Sequence, residues 1–72
     1  MGYEQIFAQR VREQRLHLKL TQKELGEAVG LTHKAISTIE TGVHTTTMDR
    51  LVALAQFFHV SIDYLVGLKD EP

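Results

Sequence analysis

Cysteine is absent from the 72-residue chain, so neither a disulfide nor a thiolate-bound metal can hold the fold together. The only proline is Pro72. No stretch approaches the roughly 18–20 continuous apolar residues that span a bilayer. The opening Met1-Gly2-Tyr3-Glu4-Gln5-Ile6 lacks a basic region followed by an apolar one, so no secretory signal is expected. Ile6 stands where a myristoylation signal wants Ser or Thr. Nor does any run alternate apolar and polar residues long enough for a sheet. A chain this short is expected to be one domain, residues 1–72, with a small core made by packed helices, which a second subunit would extend. Its apolar content of 43% suits a globular protein and is too high for a disordered one.

Excess charge of one sign is also missing, at a formal −1, but the distribution is uneven. Residues 1–34 carry six Lys/Arg against four Asp/Glu, and residues 35–72 carry two against five. A polyanion responds to the field of one face and not to the total.

What is present reads as five helices. The first runs from about Tyr3 to His17, with Phe7, Val11 and Leu18 on one face beside Gln14 and Arg15, and Gln9, Arg12 and Glu13 opposite. Thr21-Gln22-Lys23-Glu24 fits a capping box, which starts the second helix, with Leu20 and Leu25 as a candidate staple and Gly30 as its stop. Thr32 caps the third, which ends near Thr41 before Gly42. Only Gly30, Leu31 and Thr32 separate helices two and three, and so short a turn forces a steep crossing, as in a helix-turn-helix. Thr47 caps the fourth helix, where Leu51, Leu54, Ala55 and Phe58 form the apolar stripe. Ser61 caps a short fifth helix that reaches about Val66, with Gly67 after it.

On a wheel of about 100° per residue, Ile36 and Ile39 of helix three face one way. Lys34, Ser37, Thr38 and Thr41 face the other, with His33 at the edge. That outer face holds hydroxyls, an imidazole and an ammonium but no acid, a mixture suited to a groove lined with acceptors and phosphates. Helices two and three both present an N-terminus with free amides and partial positive charge. Gln22, at the start of helix two, can bond a phosphate or brace a neighbouring reader.

The pattern Thr21-Gln22-x-x-Leu25-Gly26-x-x-x-Gly30-Leu31-Thr32-x-x-x-Ile36-Ser37-x-x-Glu40-x-Gly42 resembles the phage Cro/CI-type helix-turn-helix family, also called the Xre family. The resemblance spans roughly residues 6–67, taking in Val11 and Arg15 upstream and Leu51, Leu54, Ala55, Phe58 and Val60-Ser61-Ile62-Asp63-Tyr64-Leu65 downstream. It implies an all-α, five-helix lambda-repressor-like fold, with the helix-turn-helix at about 21–42 and helices four and five at about 47–67. It further implies sequence-specific binding of double-stranded DNA as a transcriptional regulator, with helix three in the major groove. Gln22, His33, Lys34 and Thr38 then stand as the main base or phosphate contacts, Ser37 beside them. Thr21 and the Val43–Thr47 loop with His44 approach the backbone, and Thr32 and Thr41 also stand among the DNA-binding residues. Arg15 and Glu40 match the family's internal ion pair, a structural tie between helix one and the end of helix three.

Some positions depart from the family. Gly26 replaces a usual Ala, Lys19 a frequent Gly and Gln14 a usual Leu. The loop after Gly42 has no Lys or Arg, which predicts a modest salt dependence of binding, since each ionic phosphate contact adds about 0.9 to the slope.

Other chemistries find little support. His17, His33, His44 and His59 lack metal-ligand spacing. Ser37, His33 and Glu40 share one helix and diverge, whereas a triad converges in a cleft. An enzyme, a cofactor, a metal and a small-molecule substrate are therefore not expected. Val52, Phe57, Tyr64, Val66 and Leu68 look surplus to one small core and point to a homodimer interface. A two-fold dimer reads a palindromic operator. The expectation is a dimeric repressor, cytoplasmic and bacterial or phage-encoded. The alternative is a protein-interaction module, such as an antitoxin-like partner, which net acidity and the apolar surface of helices four and five would suit.

Overall fold

The computed structural model describes residues 2–72, and these form five helices and no strand. They are α1 (Tyr3–His17), α2 (Gln22–Val29), α3 (His33–Thr41), α4 (Met48–Phe58) and α5 (Ile62–Val66). Each boundary has a local cause. The Thr21 hydroxyl accepts the Glu24 amide at 3.0 Å while Oε1 of Glu24 accepts the Thr21 amide at 2.9 Å. The Thr21 amide, and after it the Thr21 hydroxyl, hold the Glu24 carboxyl below its ordinary range. The hydroxyls of Thr32, Thr47 and Ser61 accept amides three residues on, at 3.0, 3.2 and 3.0 Å. All four caps are the residues that the sequence indicated.

Helix ends need a residue that tolerates a left-handed backbone, and three of the five have glycine there: Gly30, Gly42 and Gly67. The other two do not. Lys19 takes φ 59° where the chain reverses after α1, the strained turn that replacing the family's glycine suggests. His59 takes φ 57° as the C-cap of α4. No glycine marks that turn in the sequence, so it was not foreseen.

The core draws on every helix. Phe7 and Val11 of α1 meet Leu25 of α2, Ile36 and Ile39 of α3, Leu54, Ala55 and Phe58 of α4, and Tyr64 and Leu65 of α5. Helix α3 packs on both α1 and α2, α5 packs on α1 and α4, and α4 also touches α2. Leu18 departs from the expected apolar face of α1. It is the C-cap, past the last helical residue, and lies 46% exposed, while Ala8 is buried in the helix instead.

Two glycines are fixed by space as well as by turn. A Cβ on Gly26 would lie 2.6 Å from the Leu31 carbonyl oxygen, so α2 and the following turn approach closer than any side chain permits. A Cβ on Gly42 would lie 3.2 Å from Gln5 Cα and 3.4 Å from Ala8 Cβ, at φ +71°. Gly42 thus combines a left-handed backbone with direct contact to α1. Gly42→Ala should lower folding stability by about 1–3 kcal/mol, from left-handed strain together with crowding. Urea denaturation checks this; an unchanged midpoint would show that the α1–α3 contact is slack.

Candidate nucleic-acid interface

The outer surface of the helix-turn-helix is organised from the inside outward by one polar chain. It starts at Arg15, a charged residue of α1 that is only 9% exposed. Its guanidinium donates from Nε to Glu40 Oε2 at 2.7 Å and from Nη2 to Oε1 at 2.9 Å, a two-pronged match of planar fork to carboxylate. Nη1 donates to the Leu20 carbonyl at 2.8 Å, tying in the turn that leads to α2. The Glu40 carboxylate raises the Arg15 pKa further above its ordinary value, against the opposing effect of burial.

From Glu40 the chain continues to the surface. Gln22 Nε2 donates to Glu40 Oε1 at 3.3 Å, and His33 Nε2 lies 3.1 Å from Gln22 Oε1. The first residues of α2 and α3 are therefore bonded to each other and, through Glu40, to α1. Gln22 is half-buried and His33 exposed.

The remaining candidates divide by what their side chains already do. The Thr21 and Thr32 hydroxyl oxygens accept at the caps, which leaves the Thr32 hydroxyl hydrogen free to donate, while that of Thr21 is shared with the Glu24 carboxyl. Thr41 is exposed, but its hydroxyl donates to the Thr38 carbonyl at 2.6 Å and accepts the Val43 amide at 3.4 Å, so it serves the end of its own helix. Lys34 and Thr38 are exposed, with no side-chain hydrogen bond among the described residues, and Ser37 beside them is half-buried. His44 is exposed in the loop after Gly42. The structure thus gathers Gln22, His33, Lys34, Ser37 and Thr38 on the surface of α3 and the start of α2, and leaves His44 to the loop.

One residue of the expected apolar surface is corrected. Tyr64 is not surplus: it is 7% exposed and part of the core, because Arg10 covers it. The Arg10 guanidinium carbon lies 4.4 Å from the ring centroid, and Nη1 donates to the carbonyls of Tyr64 and Lys69. Its 3.5 Å contact with the fully exposed Asp70 adds little. Sequence patterning missed Arg10, since an arginine on the side of an amphipathic helix carries no mark of its distant partner. Val52, Phe57 and Val66 are half-buried, Phe57 lying against Phe58 and the core. Leu68 is 64% exposed and borders Val66 and Tyr3, itself 64% exposed. Tyr3 and Val66 also line an apolar cleft of about 130 Å³ with Phe7, Leu51, Thr45 and Thr46. Tyr3, Val66 and Leu68 thus form one apolar patch, while Val43 and Met48 are exposed elsewhere. Among the described residues no group of three or more His, Asp or Glu is placed to hold a metal ion, and no helix is long and apolar enough to cross a membrane.

Two short capped helices crossing over a three-residue turn, with the outer face of the second left open, define a helix-turn-helix protein. The chain belongs to the helix-turn-helix family, whose model matches residues 11–65, and within that family it is of the Cro/CI type. It is 36% identical over 67 residues to the uncharacterized HTH-type transcriptional regulator YobD of Bacillus subtilis (strain 168), covering 93% of this chain and 60% of that one. The chain thus spans about 60% of the length of that relative. Among solved structures it is similar to the P22 c2 repressor in complex with a synthetic operator, at 35% identity and TM-score 0.78, over 83% of this chain and 91% of that chain. The structure of CoII HppE in complex with substrate shares the fold, with TM-score 0.78 but 23% identity, over 89% of this chain and 36% of that one.

The buried pair gives this subsection its test. Glu40→Ala leaves the Arg15 charge unpaired inside the protein and should cost about 3–5 kcal/mol. Combining Arg15→Met with Glu40→Leu should cost much less than the sum of the two single changes. A double-mutant cycle by urea denaturation measures the coupling; additive single effects would mean that the two side chains do not depend on each other.

Proposed function

We propose that this chain binds double-stranded DNA in a sequence-specific manner as a transcriptional regulator, with α3 in the major groove. The observation that carries the reading is the surface formed by His33, Lys34, Ser37 and Thr38. It is presented on a helix held at a fixed angle by Arg15 and Glu40, and it includes no acid. In the groove, Lys34 supplies a cation for phosphate or guanine, and Thr38 and Ser37 supply hydroxyls that donate or accept at base edges. Thr32 donates its free hydroxyl hydrogen to a phosphate oxygen flanking the groove, and Thr21 approaches the backbone beside it. His44 sits where the neighbouring backbone passes, and Thr41 acts through the shape of the helix end. Residues 1–72 act as one such domain, in the cytoplasm of a bacterium or as a phage product, without enzymatic activity.

The proposed assembly is a homodimer that represses from a palindromic operator, with recognition helices about 34 Å apart, one turn of DNA. The exposed Tyr3 and Leu68, with Val66 between them, and the half-buried Val52 and Phe57 of α4 supply the apolar surface that such a contact needs. A second reading rests on that same surface: with acid collected at Asp63, Asp70 and Glu71, it suits a partner protein, as in an antitoxin-like module.

Selection from a random double-stranded pool at near-physiological salt should enrich a palindrome with half-sites about one turn apart. Lys34→Ala with Thr38→Ala should abolish that enrichment and leave the fold intact. No enrichment for the native chain would favour the partner-protein reading.

Leu68→Asp should shift the native chain from dimer to monomer in sedimentation equilibrium, without loss of helix content, because Leu68 contributes nothing to the core. A native chain that is monomeric at high concentration would remove the dimer from the proposal.

A further inference from the structure

The polar chain that ends at His33 also fixes which nitrogen of that ring holds the proton. Glu40 is a carboxylate, which only accepts hydrogen bonds, and Arg15 holds it in place with two donors. Gln22 must therefore turn its amide nitrogen toward Glu40, which leaves its carbonyl oxygen toward His33. That oxygen in turn requires a proton on His33 Nε2. The other ring nitrogen, Nδ1, makes no hydrogen bond among the described residues. The His33 side chain is exposed, and Nδ1 is the ring nitrogen left open to a ligand.

We propose, building on the DNA-binding reading above, that His33 reads one base pair through Nδ1 and that its preference depends on proton uptake. A neutral His33 offers Nδ1 as an acceptor. In the major groove it selects a base bearing an exocyclic amino donor, N6 of adenine or N4 of cytosine. Protonation places a hydrogen on Nδ1 and leaves the Gln22 bond untouched, since Nε2 donates in both states. The same nitrogen then donates, and selects N7 or O6 of guanine. Lys34 follows His33 on α3, Lys23 and Glu24 follow Gln22 on α2, and Glu40, paired with Arg15 of α1, is bonded to Gln22. Glu24 is engaged with Thr21, and Glu40 with Arg15 and Gln22, so neither carboxylate is free to capture the Nδ1 proton.

The base pair concerned is the one at which His33→Asn changes the selected sequence. Duplexes differing only there are compared by competition at about pH 8 and about pH 5.5, either side of the range where imidazoles titrate. The native chain should prefer the amino-bearing base over guanine by about tenfold at the higher pH, with the ratio falling to unity or inverting at the lower. His33→Asn, which cannot titrate, should give one ratio at both. A native ratio that ignores pH, or an equal shift in His33→Asn, overturns the proposal and leaves DNA binding standing. On the free protein, long-range proton–nitrogen correlation at the higher pH should show Nε2 protonated and Nδ1 bare, with both tautomers present in Gln22→Ala. A proton on Nδ1 in the native chain overturns the tautomer lock independently. If no duplex binds at all, the DNA reading fails first, and the spectrum still decides whether the lock exists.

Discussion

Two opposite charges, on Arg15 and Glu40, are set inside a domain that has very little interior to spare. Taking ions out of water is costly, and a pair of apolar residues of the same size could fill the space with less penalty. What apolar side chains cannot supply is direction. The guanidinium fork accepts one orientation of the carboxylate, and its remaining nitrogen reaches the Leu20 carbonyl, so helix α1, the end of α3 and the entry to α2 are referred to one point. The hydrophobic contacts of Val11, Leu25 and Ile36 bring the same helices together but would tolerate small slides and rotations. The ion pair removes that freedom at the place where the angle of α3 is decided.

A second constraint acts beside the first. Because Gly26 lets the turn lie against the backbone of α2, the two helices cross at very short range, and α3 emerges with its N-terminus next to that of α2. The proximity has an electrostatic side: two sets of unsatisfied amides face the same region of solvent. The net charge of the chain gives no hint of this, since the acidic residues of the second half lie largely on α4, α5 and the C-terminal segment.

Most of the fold could be read from the sequence because its signals are local. Thr21, Thr32, Thr47 and Ser61 each sit three residues before the amide they accept, and an amphipathic stripe such as Leu51, Leu54, Ala55 and Phe58 repeats within a single helix. Ends set by strain and not by residue type were harder: Lys19 was suggested only by a missing glycine, and His59 by nothing. Contacts distant in sequence were harder still. Arg10 and Tyr64 lie 54 positions apart, and neither residue type requires the other. That is why Tyr64 reads as spare surface until the ring is seen beneath the guanidinium. For the candidate site, the side chains on α3 were legible from the wheel, but the bond that joins Gln22 to His33 was not. Periodicity reports which way a side chain faces, and says nothing of the partner it finds there.

The recognition surface is consequently of two kinds. Lys34 and Thr38 stand in solvent with no side-chain hydrogen bond to the rest of the described chain, whereas Gln22 and His33 are the outer links of a series that ends in the core. Change at the first pair breaks no side-chain hydrogen bond within the described residues, so those positions can drift and retune what the surface prefers without endangering the fold. Change at the second pair disturbs the neighbours of a buried charge, and selection must weigh stability along with recognition. Descendants of such a chain should thus diversify in one half of the surface and hold the other nearly fixed, an evolutionary asymmetry already written into which side chains are bonded to one another.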